Sequence, residues 1–272
     1  MFHDPLRILA FGAHPDDCDI LLGGTAILWS RLGHQVTFVS TTNGDTGHYS
    51  MGGGPLARRR QAEAQRSAQI AGIAYRVLDI HNGQLLPTLE NRWRLVEIIR
   101  EVDPDLVVTH RPNDYHPDHR YTGQLVQDAA YTVTIPNVAA LTPHLMTNPV
   151  FASFSDRFQR PYPFQADVII DIDSVMPTKL DMLHCHTSQF FEWLPYNQGR
   201  LDQVPEDEHA RKAWVNELWG ARSRDLADTH RDALVARYGE EHARAVRNAE
   251  AIEISEYGAQ PSAQELATLF PF

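Results

Sequence analysis

The side chains best suited to catalysis fall into two clusters of histidine and aspartate, AHPDD directly after one apolar run and HPDH a few residues after another. Their members are His14, Asp16, Asp17, His116, Asp118 and His119. Carboxylates this close together repel one another unless a positive charge lies among them. Two imidazoles and one carboxylate with an open fourth position are a common catalytic zinc arrangement. The sequence therefore predicts a metal centre, provided that the fold brings the two clusters together.

The elements around these clusters predict how they meet. The segments RILAFGA, QVTFVSTT, YRVLDI and DLVVTH are short apolar runs, and long helical patterns separate them. This alternation favours an α/β fold: a Rossmann-like, doubly wound, mostly parallel sheet with helices on both faces. Ligands bind such a sheet at the carboxyl ends of the strands, where the strand order reverses. In the usual 3-2-1-4 order, the clusters after strands one and four face one crevice.

The chain as a whole predicts a single domain over residues 1–272. Its core spans about residues 7–189, and a helical C-terminal extension covers about 190–272. Between a helix and a later strand, residues 134–165 are rich in proline, asparagine and aromatics without a clear period. Loops of that length usually contribute to function.

Composition narrows the class of partner and the compartment. A formal net charge of -11 argues against a nucleic acid or an anionic membrane, and we expect a neutral or small substrate. The two cysteines, Cys18 and Cys185, form no disulfide framework, which favours a reducing, cytoplasmic setting. No signal-peptide pattern or membrane-spanning apolar stretch is present, so we expect a soluble, unexported protein.

The residue types suggest how one metal would be held. His14 and Asp17 lie three residues apart at the start of a helix, and His119 would add the third ligand from the other loop. Together they predict one Zn²⁺ per chain, or another divalent metal, with water in the fourth position. Asp16 lies beside these ligands without being needed by the ion, so it would take a proton from that water as general base.

His116 would stand across the substrate as an imidazolium that donates to the developing oxyanion or the leaving amine, with Asp118 orienting it. His110 is expected to be a residue at the end of a strand near the site and not a ligand. For HPDD alone, a turn in which Asp16 or Asp17 caps the following helix is the alternative. Capping explains no histidine in either cluster, so the paired clusters favour the metal.

The motifs AHPDDCD, HPDH and KLDMLHCHTSQ together resemble the LmbE-like, or GlcNAc-PI de-N-acetylase-like (PIG-L), zinc deacetylases over about residues 7–189. The resemblance implies a Rossmann-like domain that removes an acetyl group from an N-acetylglucosamine-type sugar. It implies His14, Asp17 and His119 as the zinc ligands and Asp16 as the general base. It also implies substrate-binding roles for Arg60, whose register Arg58 and Arg59 leave open by one or two residues, and for His186. The family commonly has Glu where this chain has Asp19.

The expected function is a zinc-dependent N-deacetylase acting on a GlcNAc-containing small molecule or glycoside. Two alternatives stay open: a zinc amidase acting on a larger amide conjugate, and a catalytically silent carbohydrate-binding protein. Later aromatics would stack on sugar rings or pack in the core; they are Phe164, Phe191, Trp193 and Tyr196. The stretch FFEWLPY fits a homo-oligomer contact or a buried intramolecular patch equally well.

Overall fold

The computed structural model describes residues 2–272, which form a seven-stranded sheet surrounded by helices. The strands are β1 (Arg7–Gly12), β2 (Gln35–Ser40), β3 (Ala74–Val77), β4 (Leu106–Thr109), β5 (Val150–Phe154), β6 (Val168–Asp171) and β7 (Ala249–Gly258). The helices are α1 (Asp17–Arg31), α2 (Gly53–Ala71), α3 (Leu89–Val102), α4 (Pro117–Thr132), α5 (Met176–Cys185), α6 (Leu194–Asn197), α7 (Glu208–Leu218), α8 (Gly220–Thr229), α9 (Arg231–Tyr238), α10 (Glu240–Ala245) and α11 (Ala263–Leu269).

The strand order is β3-β2-β1-β4-β5-β7-β6, and the first five strands of that order run parallel. This confirms the predicted α/β fold and the predicted order of the first four strands. The order reverses between β1 and β4, whose neighbouring carboxyl ends form the crevice in which such sheets bind ligands.

The central strand β1 explains why the sheet forms where it does. Ile8 and Ala10 pack with α1 and α2 on one face, while Leu9 and Phe11 pack with α3 and α4 on the other, and all four side chains are fully buried. A strand buried on both faces needs a continuous apolar run, as in RILAFG.

Two strands were not predicted. β5 lies inside residues 134–165, which the sequence analysis treats as a loop, and β7 lies in the C-terminal extension. β7 pairs antiparallel with both β5 and β6, so the largely helical extension also supplies a strand of the central sheet. Of the helices in residues 2–272, none is long and apolar enough to span a membrane.

Candidate active site

The two clusters meet because β1 and β4 are adjacent. β1 leads through the AHPDD turn into α1, β4 leads through the HPDH loop into α4, and Phe11 pairs in register with Thr109 at the shared edge. The turn after β1 is tight: a Cβ on Gly12 would lie 2.9 Å from Cβ of Asp17. Glycine at this position therefore lets α1 begin close to the end of the strand.

Three ligand atoms form a compact triangle at this edge. His14 Nδ1 lies 3.2 Å from His119 Nε2 and 3.4 Å from Asp17 Oδ2, and His119 Nε2 lies 3.5 Å from the same oxygen. Ligands at 2.0–2.2 Å from a tetrahedral ion are separated by about 3.4 Å. The triangle therefore has the size that one divalent metal requires.

The other ring nitrogen of each imidazole in the triangle contacts a further carboxylate. His14 Nε2 lies 3.3 Å from Asp118 Oδ2, and His119 Nδ1 lies 3.2 Å from Asp114 Oδ2. If these ring nitrogens donate to the carboxylates, the opposite nitrogens present lone pairs to the centre of the triangle. Carboxylates commonly fix metal-binding histidines in this way.

The electrostatics of the triangle match a cation site. Burial alone would lower the pKa of His14, but Asp17 and Asp118 outweigh burial and raise that pKa to about 9. Burial likewise opposes ionisation of Asp17, yet His119 and His14 hold its pKa well below the usual range. Charge therefore balances here only when a positive charge, a proton or a metal, lies between the ligands.

Two further sets of atoms lie within 4.8 Å of one another, one formed by His14, His116 and His119 and the other by Asp17, His110 and His119. His110 is a weaker candidate, since its Nε2 already lies 3.2 Å from Asp17 Oδ2. The same nitrogen is 3.1 Å from the backbone N–H of Ala13. In either tautomer, His110 Nε2 is therefore committed to protein contacts.

Asp16 lies next to the triangle and is buried, and its Oδ1 accepts a hydrogen bond of 2.9 Å from Arg60 Nη2. Burial raises the pKa of Asp16, and the Arg60 charge opposes that rise. Asp16 occupies the N-cap position of α1, but its side chain binds Arg60 instead of capping the helix. The carboxylate of Asp17 accepts from the backbone N–H groups of Ala13 and His14, within the turn itself.

Arg60 lies at the cleft, in contact with the carboxylate of Asp16. Its side chain is only 2 % exposed and lies against Asp16 at the wall of the cleft. Gly44 makes room for it, because a Cβ there would lie 2.5 Å from Arg60 Nη1. The main polar contact of Arg60 in this structure is thus with Asp16.

The Asp118 carboxylate lies closer to His14 than to His116. His116 caps α4, and its Nδ1 accepts a hydrogen bond of 3.2 Å from the backbone N–H of Asp118, whose Oδ2 lies 4.0 Å away. That carboxylate contacts His14 and the backbone N–H of Gly83 instead. Burial, with the charges of His14 and His119, lowers the pKa of His116 to about 4.

His186 also differs from the expectation. Its side chain is completely buried, outside the residues that line the cleft, and its Nε2 lies 3.2 Å from Asp19 Oδ1. Asp19 accepts a further hydrogen bond from the Tyr75 hydroxyl. His186 therefore belongs to a buried polar group behind the site and not to its substrate-facing wall.

The triangle opens into a cleft of about 610 Å³, within the range typical of small-molecule sites. A short helical segment, residues 189–197, forms one wall, and Trp193 lines it. Tyr196 stacks on Tyr49 with ring centroids 4.5 Å apart. Phe191 is buried in a core cluster with Trp214, so this end of FFEWLPY forms an intramolecular patch.

Asp114 is the contact that sequence reasoning missed. Asp114 lies just before the HPDH motif, and the sequence assigns it no role, although its carboxylate contacts the second ring nitrogen of His119. The available signal is the requirement that each metal-binding histidine have an acceptor for its other ring nitrogen.

Comparison with known proteins gives an independent view. Residues 9–130 match the family described as GlcNAc-PI de-N-acetylase, PIG-L. A diacetylchitobiose deacetylase of Thermococcus kodakarensis is 34% identical over 212 residues, covering 72% of this chain and 76% of that protein. A 4-oxalmesaconate hydratase of Pseudomonas putida is 24% identical over 203 residues, covering 72% of this chain and 78% of that protein.

Among solved structures, the N,N'-diacetylchitobiose deacetylase of Pyrococcus horikoshii superposes with a TM-score of 0.71 at 26% identity. The match covers 94% of this chain and 87% of that one. The similarity thus extends through the C-terminal region, well beyond the two motifs.

Proposed function

This chain belongs to the PIG-L family of GlcNAc-PI de-N-acetylases, and we propose that it is a metal-dependent hydrolase that removes the N-acetyl group from a GlcNAc-containing small molecule or glycoside. The observation that carries the proposal is the triangle of His14, Asp17 and His119 beside the buried carboxylate of Asp16. The 34% identity to a deacetylase supports amide hydrolysis over the hydration named for the more distant relative.

His14, Asp17 and His119 would hold the metal. Two imidazoles and one carboxylate fit zinc, and the lone pairs that Asp118 and Asp114 direct inward support that assignment. When bound, a divalent ion of this kind lowers the pKa of water and polarises a carbonyl oxygen.

Asp16 would move the proton. Its Oδ1 is engaged by Arg60 Nη2, which leaves Oδ2 to accept a proton from the attacking water and to return it to the amine that leaves. Arg60 would act as a positioning residue by fixing the rotamer of Asp16 and favouring its ionised form. His186, buried against Asp19, would support the same region from behind.

His116 would stabilise the oxyanion as a neutral donor. Because Nδ1 accepts the Asp118 backbone N–H, the proton of the neutral ring resides on Nε2. His116 lines the cleft, where an N–H aimed at the developing negative charge is worth most. Asp118 contributes by orienting His14.

The two free cysteines, one buried and one partly buried, favour a reducing compartment, and we expect the enzyme to act in the cytoplasm. Amino-sugar conjugates small enough for the cleft are the expected substrates.

The experiment is to measure acetate released from GlcNAc, diacetylchitobiose, GlcNAc-inositol and GlcNAc-malate by metal-loaded protein. The Asp16→Asn variant is assayed in parallel, because it removes the general base. We expect acetate from at least one compound and a loss of about 10²- to 10⁴-fold in the variant, since Asn cannot accept the proton. Release of a longer acyl group would favour the amidase. Sugar binding without turnover would favour a silent binding protein, and full activity in Asp16→Asn would overturn the mechanism.

A further inference from the structure

Arg222 lines the cleft near the junction of α7 and α8. Trp219 precedes α8, and Arg222 follows one turn later, so both side chains can face the same side, and both line the cleft. The Trp219 ring packs edge-on against Phe190 with centroids 5.0 Å apart, which fixes this wall.

The guanidinium of Arg222 has spare donors. Its Nη2 donates to the carbonyl and the hydroxyl of Ser155, the latter at 3.0 Å. Its Nε is fully buried and finds no acceptor among residues 2–272. In the same part of the chain, no carboxylate oxygen comes within 4.0 Å of any Arg222 nitrogen.

The other arginines that line the cleft are paired. Arg60 contacts Asp16, Arg111 contacts Asp156 and Arg157 contacts Asp225, each at 2.9 Å. Arg222 alone among the cleft arginines of the described residues lacks such a carboxylate.

The acids nearest to Arg222 are already committed. Asp156 is engaged by Arg111, and Asp225 by Arg157. Glu250 accepts a hydrogen bond of 2.7 Å from Lys179. Their charges act on Arg222 only at a distance, whereas burial and the Arg157 charge lower its pKa. A partly buried guanidinium that lacks a carboxylate partner is a favourable place for an anion to bind.

We propose that Arg222 binds an acidic group, a carboxylate or a phosphate, on the part of the substrate that is joined to the amino sugar. The inference rests on the proposed function and narrows it to acidic N-acetylglucosaminyl conjugates. Arginine is well suited to such groups, because its planar guanidinium donates several hydrogen bonds to one anion.

The position of Arg222 shows which part of the substrate it meets. It also borders a second cavity of about 300 Å³, lined by residues of the β5–β6 connection and of α8. The metal triangle is formed at the starts of α1 and α4, whereas Arg222 belongs to α8 on the same cleft, so the proposal assigns the acetamido group to the triangle and the acidic group to α8. The net charge of -11 disfavours extended polyanions but does not prevent a single paired anion from binding at this site.

The test compares matched acidic and neutral substrates. Wild-type protein, Arg222→Gln, Arg222→Lys and Arg224→Gln are assayed for acetate release from GlcNAc-malate, its dimethyl ester and GlcNAc 1-phosphate. Arg224 is the control, since it lies on the same helix and contacts Asn216.

We expect wild type to prefer an acidic compound over the ester by about 10- to 100-fold in kcat/KM, as for charge-assisted hydrogen bonds. Arg222→Gln removes that preference, Arg222→Lys keeps part of it, and Arg224→Gln keeps all of it. Preference for malate assigns a carboxylate, and preference for the phosphate assigns a phosphate.

Equal kcat/KM for the ester and for both acidic compounds in wild type overturns the inference, as does an unchanged preference in Arg222→Gln. If Arg222→Gln does not fold, the wild-type and Arg222→Lys comparisons decide. If no compound releases acetate, the proposed function fails on its own, and calorimetric Kd values for the acid and its ester still test Arg222.

Discussion

At the level of single residues, the site depends on which carboxylate contacts the second ring nitrogen of each metal-binding histidine. Asp118 contacts His14 at 3.3 Å and Asp114 contacts His119 at 3.2 Å, while the Asp118 carboxylate is 4.0 Å from His116. Asp118 is thus expected to strengthen metal binding through His14, whereas the sequence suggested that it supports catalysis through His116. The first role predicts a change in the metal Kd on mutation, and the second predicts a change in kcat.

We predict that Asp118→Asn and Asp114→Asn each weaken metal binding by about 10- to 100-fold, because a neutral amide replaces the charged acceptor that orients each imidazole and raises its basicity. Competition with a chelator measures the metal Kd. Asp128→Asn, on the same helix and outside the site, should bind metal as wild type does. A fall in kcat for Asp118→Asn at unchanged metal Kd would instead support the pairing with His116.

The second prediction at this level concerns Arg60. The Arg60 charge holds down the pKa of Asp16 against the effect of burial, so Arg60→Gln should raise that pKa further. Because the base must be ionised to work, the acidic limb of the kcat/KM profile should move to higher pH. Loss of the hydrogen bond should also misplace the carboxylate and lower kcat by up to about 100-fold.

The control for Arg60 is Arg58→Gln, an exposed arginine two residues earlier on α2. Its pH profile should match that of wild type. An Arg60→Gln profile with an unmoved acidic limb would contradict the role assigned to Arg60.

Sequence reasoning identified the residues of the triangle because their chemistry is local to two short motifs. It did not anticipate the contact between Asp118 and His14, because spacing fixes only which residues lie near the start of a helix, whereas the direction of each side chain depends on how that helix meets the sheet. The contact between His186 and Asp19 was not predictable for a similar reason, since it depends on the packing of α5 against α1 and α2.

At the level of elements, a buried ion pair joins β7 to the helix that carries the first motif. Glu250 accepts hydrogen bonds of 2.8 Å from the backbone N–H groups of Gly24 and Thr25 in α1. Lys179 of α5 donates to Glu250 and to the carbonyl of Ile20. The pair therefore ties β7 and α5 to backbone groups in the middle of α1.

We predict that Glu250→Gln lowers the free energy of unfolding by about 3–5 kcal/mol, because it leaves the charge of Lys179 buried and unpaired. Replacing both partners with methionine should recover part of the loss. Denaturant unfolding measures each variant. Glu101→Gln, which breaks the exposed pair with Arg76, should cost at most about 1 kcal/mol, and an equal cost for both single variants would contradict the argument.

The first four strands were predictable because each is a mainly apolar segment that alternates with a long helical pattern. β5 was not, since VFASF lies among prolines and polar residues without such a helix beside it. β7 was not, because nothing local shows that a strand near the end of the chain returns between β5 and β6.

At the level of the whole molecule, the C-terminal region completes the sheet and the core. β7 lies between β5 and β6, and the Trp29 indole donates to the carbonyl of Leu269 at 2.7 Å. The sequence suggested a core ending near Gln189, but that portion lacks the strand that separates its last two strands.

We therefore predict that a chain ending at Gln189 does not fold cooperatively. A chain ending at Gly258 keeps all seven strands and should fold, with a lower Tm because Leu269 and Phe270 no longer cover Trp29. Thermal melts and limited proteolysis compare the two. A sharp melt for the shorter chain would show that residues 1–189 are an independent domain.

The central claim is that His14, Asp17 and His119 hold one metal ion beside Asp16. It is tested most directly by elemental analysis of purified wild-type protein, Asp17→Asn, His119→Ala and Asp16→Asn, each after incubation with zinc and removal of excess. We predict about one zinc per chain in wild type and in Asp16→Asn, and far less in the two ligand variants. A metal-free wild type, or ligand variants that retain the metal in full, would contradict the claim.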